Sequence, residues 1–288
     1  MSNILEVCNL VKEYKKSDFR LNNVSFSIPK GTIMGFVGEN GAGKTTTIGC
    51  ILNTLVKDSG TVKIFEKEMN DEAIDIRNEI GVVYDKNAFP LHLTPLKVAS
   101  IMRSFYSKWD DDLFKQYLKT FKLQEDKKIK TFSRGMTMKL AVSVALSHHP
   151  KLLILDEATA GLDPIVRDDI LDVFLDFVQD ENNSILLSSH ITSDLEKVAD
   201  FITFIHEGNI IFTEKKDTLK YEYGIMRCKV AQFAEMDKED IIAFRKHDYQ
   251  IDVLIADKKT VEKKYRDVVI DNVTIEEIML MFVKGERV

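Results

Sequence analysis

Gly38-Glu39-Asn40-Gly41-Ala42-Gly43-Lys44-Thr45, with Thr46 directly after it, is the stretch from which the fold can be inferred. It follows an apolar run at 33–37 and leads into a helical pattern, and its spacing fits G-x-x-x-x-G-K-T. The glycines let several backbone N–H groups point at one anion, and the following helix adds its dipole. The stretch therefore predicts a nucleoside triphosphate site, in which Lys44 contacts the β and γ phosphates and Thr45 offers a hydroxyl to Mg²⁺.

Composition and charge are those of a soluble globular protein. Of 288 residues, 44% are hydrophobic and 30% are charged, and the net charge of −6 predicts no broad basic surface and no nucleic-acid partner. The N-terminus lacks a signal-peptide pattern, and no apolar run reaches the roughly 18 residues of a membrane span. The three cysteines match no metal or disulfide pattern, which indicates a reducing cytoplasm.

Strands alternate with helices through most of the chain, which is typical of a parallel α/β sheet that binds its ligand at the carboxyl ends of the strands. The patterns predict strands at 3–10, 24–28, 33–37, 61–65, 80–84, 151–157, 184–190, 201–205 and 210–212, and helices after the glycine loop and at 71–78, 164–178 and 193–199. Helices at 96–106, at 111–121 and from Ser133 onward predict an inserted helical subdomain at about 87–150.

The pattern of predicted strands and helices changes near residue 219. Short strands are expected at 225–230, 251–255 and 267–270, and Thr274 and Glu277 form a capping box that opens a helix to Val283. We therefore expect a first domain over 1–218 and a small α+β domain over 219–288, to which no motif assigns a role.

Two carboxylates, Asp156 and Glu157, end an apolar run that is typical of a buried parallel strand. In a protein with a phosphate-binding loop, an aspartate at the end of a second buried strand completes the Mg²⁺ site. Glu157 then lies where it can act as general base toward a water attacking the γ-phosphate. The alternative, a polar strand end that merely meets solvent, is disfavoured by two carboxylates closing so apolar a strand.

Three further residues each have two interpretations, one structural and one functional. Ser133 is by itself no more than a helix cap. His190 ends a buried strand, where a histidine is either structural or able to sense the γ-phosphate. Tyr14 stands among charged residues and either packs locally or stacks on a nucleobase.

The order of these motifs resembles the ATP-binding subunits of ABC transporters over about residues 1–215. The resemblance implies a P-loop NTPase fold with a RecA-like core, an N-terminal antiparallel β subdomain and the inserted helical subdomain. It implies a Walker A motif at 38–45, a Walker B motif at 152–157 with Glu157 as catalytic glutamate, a D-loop containing Asp163, the switch histidine at His190 and an adenine-stacking aromatic at Tyr14.

Two positions depart from the family pattern. The signature, usually L-S-G-G-Q, is Phe132-Ser133-Arg134-Gly135-Met136, a form similar to the ABC-2 drug-efflux branch. The serine and second glycine, which would contact ATP held by the opposite subunit, are retained. The glutamine expected after residues 82–84 is Asp85, which can still ligate Mg²⁺ but adds a charge and is one carbon shorter.

The resemblance implies ATP hydrolysis, with two subunits sandwiching two ATP molecules between them. Each ATP and its Mg²⁺ would meet Lys44, Thr45 and Asp156 of one subunit and Ser133 and Gly135 of the other. The partners implied are a second ABC ATPase subunit, identical or not, and a separately encoded transmembrane permease. The expected location is cytoplasmic, on the inner face of the cell membrane. The form of the signature favours export as the direction of transport.

Other classes of protein fit the sequence less well. A chromosome-maintenance ATPase of the same fold would need a long coiled coil, and no sustained heptads occur. A translation factor of this kind usually carries two cassettes, whereas the chain has one phosphate-binding loop. A nucleotide-dependent binding module without turnover is disfavoured by Glu157 and His190, and a small-molecule kinase by the order of the motifs.

Overall fold

The structure is a computed structural model, and it describes residues 2–15, 19–86, 89–266 and 268–287. The chain divides into two compact units. The first contains Met1–Ala199 and Ile205–Ile210, and the second contains Asp200–Phe204 and Ile211–Val288. Each unit is described below by itself.

An antiparallel sheet contains the first two strands of the chain, in the order β2-β1-β4-β5. Its strands are β1 (Asn3–Glu13), β2 (Arg20–Pro29), β4 (Ser59–Ile64) and β5 (Lys67–Glu68). β1 pairs with β2 on one side, Val7 opposite Phe26, and with β4 on the other. Leu5, Val7 and Leu10 are buried, and the alternation along β1 is interrupted by a register shift between Val7 and Leu10.

The central sheet of the first unit contains the strands β3-β8-β7-β6 in this order. Its strands are β3 (Ile33–Val37), β6 (Ile80–Tyr84), β7 (Leu152–Asp156) and β8 (Ser184–Ser189); two further strands, β9 (Phe201–His206) and β10 (Asn209–Lys215), belong mostly to the second unit. β3, β8, β7 and β6 pair in parallel, and every residue of β3, β7 and β8 is buried. This explains the unbroken apolar runs, because a parallel strand covered on both faces has no solvent side.

The register of the parallel strands sets the position of the site. Val37 pairs with Ser189, and Asp156 pairs with Ser188 on one side and with Tyr84 on the other. The carboxyl ends of β3, β8, β7 and β6 therefore lie side by side. The glycine loop after β3 and the two carboxylates at the end of β7 meet at this edge.

The described part of the first unit contains seven α-helices, and the fifth starts at its predicted cap, Ser133. They are α1 (Lys44–Ile51), α2 (Ile74–Asn78), α3 (Pro95–Phe105), α4 (Asp111–Thr120), α5 (Arg134–Leu146), α6 (Pro164–Phe177) and α7 (Thr192–Val198). Thr94, Ser133 and Asp163 each accept a hydrogen bond from a backbone N–H of the first turn that follows. α3, α4 and α5 lie within the predicted helical insertion, of which Asn87 and Ala88 lie outside the described residues.

The second unit contains a four-stranded antiparallel sheet in the order β12-β13-β11-β14. Its elements are α8 (Lys216–Tyr221), β11 (Gly224–Cys228), α9 (Val230–Ala234), β12 (Ala243–Lys246), β13 (Ile251–Ile255), α10 (Lys258–Lys264), β14 (Val269–Asn272) and α11 (Ile275–Lys284). The predicted capping box of Thr274 and Glu277 is confirmed. The prediction of a strand to Val230 was wrong at its end, because Val230 begins α9, and Asp267 of the last predicted strand lies outside the described residues.

Candidate functional site

The phosphate-binding loop forms a tight turn between β3 and α1. Gly43, which caps α1, has a φ of 114°, a region that favours glycine. A Cβ on Gly38 would lie 2.4 Å from the backbone oxygen of Ile205, so only glycine fits there as well. The loop borders a cleft of about 380 Å³, which is lined by Phe19, Asn40, Gly41, Gly43, Lys44, Thr45, Thr46 and Glu157. Six of the predicted ATP-binding residues thus share one cavity with Glu157.

A row of polar contacts connects the side chains of Lys44, Glu157 and His190. The Nζ of Lys44 donates to the backbone oxygens of Gly38 and Glu39, at 2.7 and 3.1 Å, and lies 3.2 Å from Oε1 of Glu157. The other oxygen of Glu157, Oε2, lies 2.5 Å from Nδ1 of His190. The side chains of Lys44 and Glu157 are 5% and 15% exposed, whereas that of His190 is 44% exposed. The carboxylate is therefore held from both sides and remains open on the cleft.

The backbone of Glu157 is unusual. Its φ is 57°, in the left-handed region that a glutamate rarely adopts. Its N–H donates to the backbone oxygen of Ser188, at 3.1 Å, which ties the residue to the end of β8. Such a conformation costs free energy and marks a site where the direction of the side chain matters.

Asp156 is buried at the end of β7. Its side chain is 6% exposed, and among the described residues its Oδ1 has no hydrogen-bond partner. Burial raises the pKa of this carboxyl, while the hydroxyls of Thr45 and Ser188 act in the opposite direction. A buried oxygen without a partner, beside a threonine hydroxyl, is the donor set that a hard cation takes.

Tyr14 lies near the start of α1, and its side chain is partly exposed to solvent. Its hydroxyl is 3.5 Å from Oγ1 of Thr46, and its ring centroid is 6.4 Å from that of Phe19. The ring is 37% exposed, and the Nζ of Lys12 lies 5.8 Å from its centroid. An exposed aromatic ring above the phosphate loop is able to stack on a base.

The signature residues and the D-loop form a second group. Ser133 caps α5 through the N–H of Met136, at 3.2 Å, and Asp163 caps α6 through the N–H of Val166, at 3.0 Å. A Cβ on Gly135 would lie 3.0 Å from a methyl group of Val166, so the starts of the two helices touch. Within the described part of the chain, neither Ser133 nor Gly135 lines the cleft.

Asp85 belongs to this second group. Its carboxylate accepts a hydrogen bond from the guanidinium of Arg134, and the two form an ion pair. Asp85 directly follows Tyr84, which pairs with Asp156 in the sheet. Asp85, which the sequence suggested as a candidate Mg²⁺ ligand, therefore contacts the signature of its own subunit.

The sequence did not predict one ion pair near the D-loop, between the buried Asp194 and the partly exposed Arg167. Asp194 of α7 is 3% exposed and lies 3.6 Å from Nη1 of Arg167, whose Nη2 donates to the backbone oxygen of Leu162 in the D-loop at 3.2 Å. Burial raises the pKa of Asp194, whereas the hydroxyl of Thr159 and the charge of Arg167 lower it.

The fold and this arrangement define a P-loop nucleoside triphosphatase. A sequence model of the ABC transporter family matches residues 21–160. The chain is 31% identical over 258 residues to the bacitracin transport ATP-binding protein BcrA of Bacillus licheniformis, covering 87% of this chain and 83% of that one. It is 34% identical over 215 residues to the lantibiotic transport ATP-binding protein SrtF of Streptococcus pyogenes, covering 74% of this chain and 92% of the relative.

A solved structure of an ATP-binding subunit of an ABC transporter has the same fold, with a TM-score of 0.66 and 25% identity over 75% of this chain and 92% of that one. The chain belongs to the ATP-binding subunits of ABC transporters, which hydrolyse ATP to power transport through transmembrane components. The predictions of fold class, family and ATPase activity are confirmed. Among the described residues, no helix has the length and apolar character needed to cross a membrane.

Proposed function

We propose that this chain hydrolyses ATP at the edge of its central sheet, with Glu157 as general base, in a site that a second ABC subunit completes. The observation that carries the proposal is the position of the Glu157 carboxylate between Lys44 and His190, at 3.2 and 2.5 Å. A partly buried carboxylate that two neighbours orient, and that is open to a phosphate cleft, suits a base that accepts a proton from an attacking water.

Each of the three side chains has a distinct role. Lys44 neutralises charge on the β and γ phosphates, and a γ-phosphate oxygen competes with Glu157 for its ammonium group. Glu157, released from Lys44, accepts the proton of the water that attacks the γ-phosphorus. His190, through Nδ1, keeps the carboxylate directed toward that water and lies where it can also donate to the phosphate. The loop N–H groups hold the phosphates, and the ring of Tyr14 stacks on adenine.

Thr45 and Asp156 would hold Mg²⁺. The fit is supported by the buried Oδ1 of Asp156, which has no hydrogen-bond partner among the described residues, and by the Thr45 hydroxyl next to it. Mg²⁺ bound there would neutralise charge on the β and γ phosphates. Described His, Cys, Asp and Glu side chains form no cluster of three or more that could hold a metal by themselves, so phosphate oxygens and water would supply the other ligands.

We propose a second subunit because two described residues of the signature motif, Ser133 and Gly135, do not border the cleft. Ser133 is exposed and Gly135 opens the first turn of α5, and within the described chain neither borders the cleft. A second copy in head-to-tail arrangement would place Ser133 and Gly135 on the γ-phosphate of the first, and Asp163 would lie at the same interface. We take the second subunit to be another copy of this chain.

We further propose that the subunit works in an exporter, on the cytoplasmic face of the membrane, bound to a separate permease. Two relatives are named for the transport of bacitracin and of a lantibiotic, which supports a peptide antibiotic as the class of cargo. Co-purification from membranes with a permease would support this part of the proposal, and recovery only in the soluble fraction after expression with the neighbouring permease would contradict it.

Substitution Glu157→Gln tests the role of the base. Hydrolysis should fall by about 10²-fold or more, since the glutamine keeps the size of the side chain but accepts no proton. Binding of a fluorescent ATP analogue should be retained. Glu181→Gln, at an exposed position, is the matched control and should keep the wild-type rate. Turnover near the wild-type rate in Glu157→Gln would remove Glu157 from the role of base.

A further inference from the structure

The ion pair between Asp85 and Arg134 joins the two motifs in which this chain departs from the common pattern of its family. We propose that Asp85 is a positioning residue for the signature: it holds Arg134, and with it the start of α5, and it does not ligate Mg²⁺. The inference rests on the proposed function, because it concerns how the same site is completed.

The place of Asp85 follows from the register of the sheet. Tyr84 is the last residue of β6 and pairs with Asp156, so Asp85 leaves the sheet level with Glu157. From this point its carboxylate reaches Arg134, which lies 49 residues further along the chain. The pair thus connects the edge of the central sheet to the first residue of α5.

Helix electrostatics explain why α5 needs a carboxylate from outside. Arg134 is the first residue of this helix, and its first turn contains no acidic residue. A positive charge there is unfavourable, because the N-terminal end of a helix dipole is itself positive. Asp85 offsets both charges at once. The contact therefore compensates an arginine that occupies an otherwise unfavourable position.

Arg134 also lies against the D-loop. A Cβ on Gly161 would be 2.7 Å from Nη1 of Arg134, and Gly161 has a φ of 66°. The absence of a side chain at Gly161 leaves the space that the guanidinium occupies. One side chain thus fixes the signature relative to the end of β6 and to the D-loop, and the proposed function places the signature and the D-loop at the interface.

The size of the effect is limited by exposure. The side chains of Asp85 and Arg134 are 39% and 52% exposed, and an exposed pair contributes little to overall stability. We therefore expect kcat to change by about threefold to fivefold when the pair is broken, with little effect on the global unfolding transition. A metal ligand would behave differently, because its loss changes the Mg²⁺ dependence of nucleotide binding itself.

The experiment is a double-mutant cycle of Asp85→Asn, Arg134→Gln and the double variant, with Asp75→Asn, exposed in α2, as control. Two quantities are measured on the full chain: kcat for ATP hydrolysis, and the Mg²⁺ concentration that gives half-maximal binding of a fluorescent ATP analogue. We expect kcat to fall about threefold to fivefold in each single variant and by no more in the double variant, since both changes break the same contact. Half-saturation by Mg²⁺ should stay within about twofold of the wild type.

Three results would overturn the proposal: a shift of tenfold or more in Mg²⁺ half-saturation in Asp85→Asn, an unchanged kcat in that variant, or losses that multiply in the double variant. The first would make Asp85 a metal ligand. These outcomes are separate from a failure of the proposed function, which would appear as normal turnover in Glu157→Gln whatever Asp85 does. Asp85→Gln, which restores the usual family residue, should also leave ATP binding intact.

Discussion

Replacement of Asp156 by asparagine is expected to stabilise the chain in buffer without metal or nucleotide. The side chain is 6% exposed, its Oδ1 has no hydrogen-bond partner among the described residues, and burial disfavours its charge. A buried polar atom left unsatisfied costs about 1–3 kcal/mol. Lys44 and the hydroxyls of Thr45 and Ser188 recover part of this cost. Because asparagine keeps the shape, can donate to Ser188 and carries no charge, the expected gain is about 1 kcal/mol.

The assay is urea unfolding with EDTA, using the first unfolding transition. A gain of 1 kcal/mol corresponds to a shift of roughly 0.3–1 M in the urea midpoint. Asp176→Asn, an exposed carboxylate on α6, is the control and should change stability by less than about 0.5 kcal/mol. With Mg²⁺ and ATP the order should reverse, since ligand binding stabilises the wild type by mass action. A loss of more than 1 kcal/mol on Asp156→Asn in EDTA would refute the reasoning that burial makes this charge costly.

Three further predictions concern other parts of the chain. The pKa of Asp194 is raised in the folded state, so the folded chain binds its proton more tightly and wild-type stability falls as pH rises from the ordinary value of 3.8 through the raised pKa. Urea unfolding between pH 4 and 8 should show Asp194→Asn gaining stability relative to the wild type as pH rises, and a pH-independent difference would contradict this. Gly43→Ala should abolish binding of a fluorescent ATP analogue and cost about 1–2 kcal/mol in urea unfolding, because its φ is 114° and its Cβ would lie 2.7 Å from a methyl group of Leu21. Normal binding would show that the loop can adjust. Thr274→Ala should destabilise the second unit by about 1 kcal/mol, seen in the amide hydrogen exchange of α11, because it removes the capping box; unchanged protection would contradict that role.

Much of the fold could be predicted because the first unit follows strong local patterns. The apolar runs of β3, β7 and β8 reflect strands with both faces covered, and the cap Ser133 marks where α5 starts. Once the strands are known to be parallel, the carboxyl ends of β3, β7 and β8 must share one edge. The approach of Lys44, Glu157 and His190 follows from that rule.

Other features depend on tertiary placement and leave no local pattern. The Asp85–Arg134 pair joins residues 49 positions apart, and no spacing rule connects them. The pair of Arg167 and Asp194 depends on how α6 and α7 pack. In the second unit, α8, α9, β12 and α10 were not predicted, because elements of four to seven residues are too short to show a period.

Each chain is proposed to hold half of a composite ATPase site, and mixing two inactive variants tests this most directly. Lys44→Ala disables the phosphate loop and Ser133→Ala disables the signature, so each alone should be nearly inactive. In a one-to-one mixture, half of the dimers pair the two variants and contain one intact site, which predicts about one quarter of the wild-type rate if sites act independently. Hydrolysis no faster than the average of the two single variants would contradict the claim.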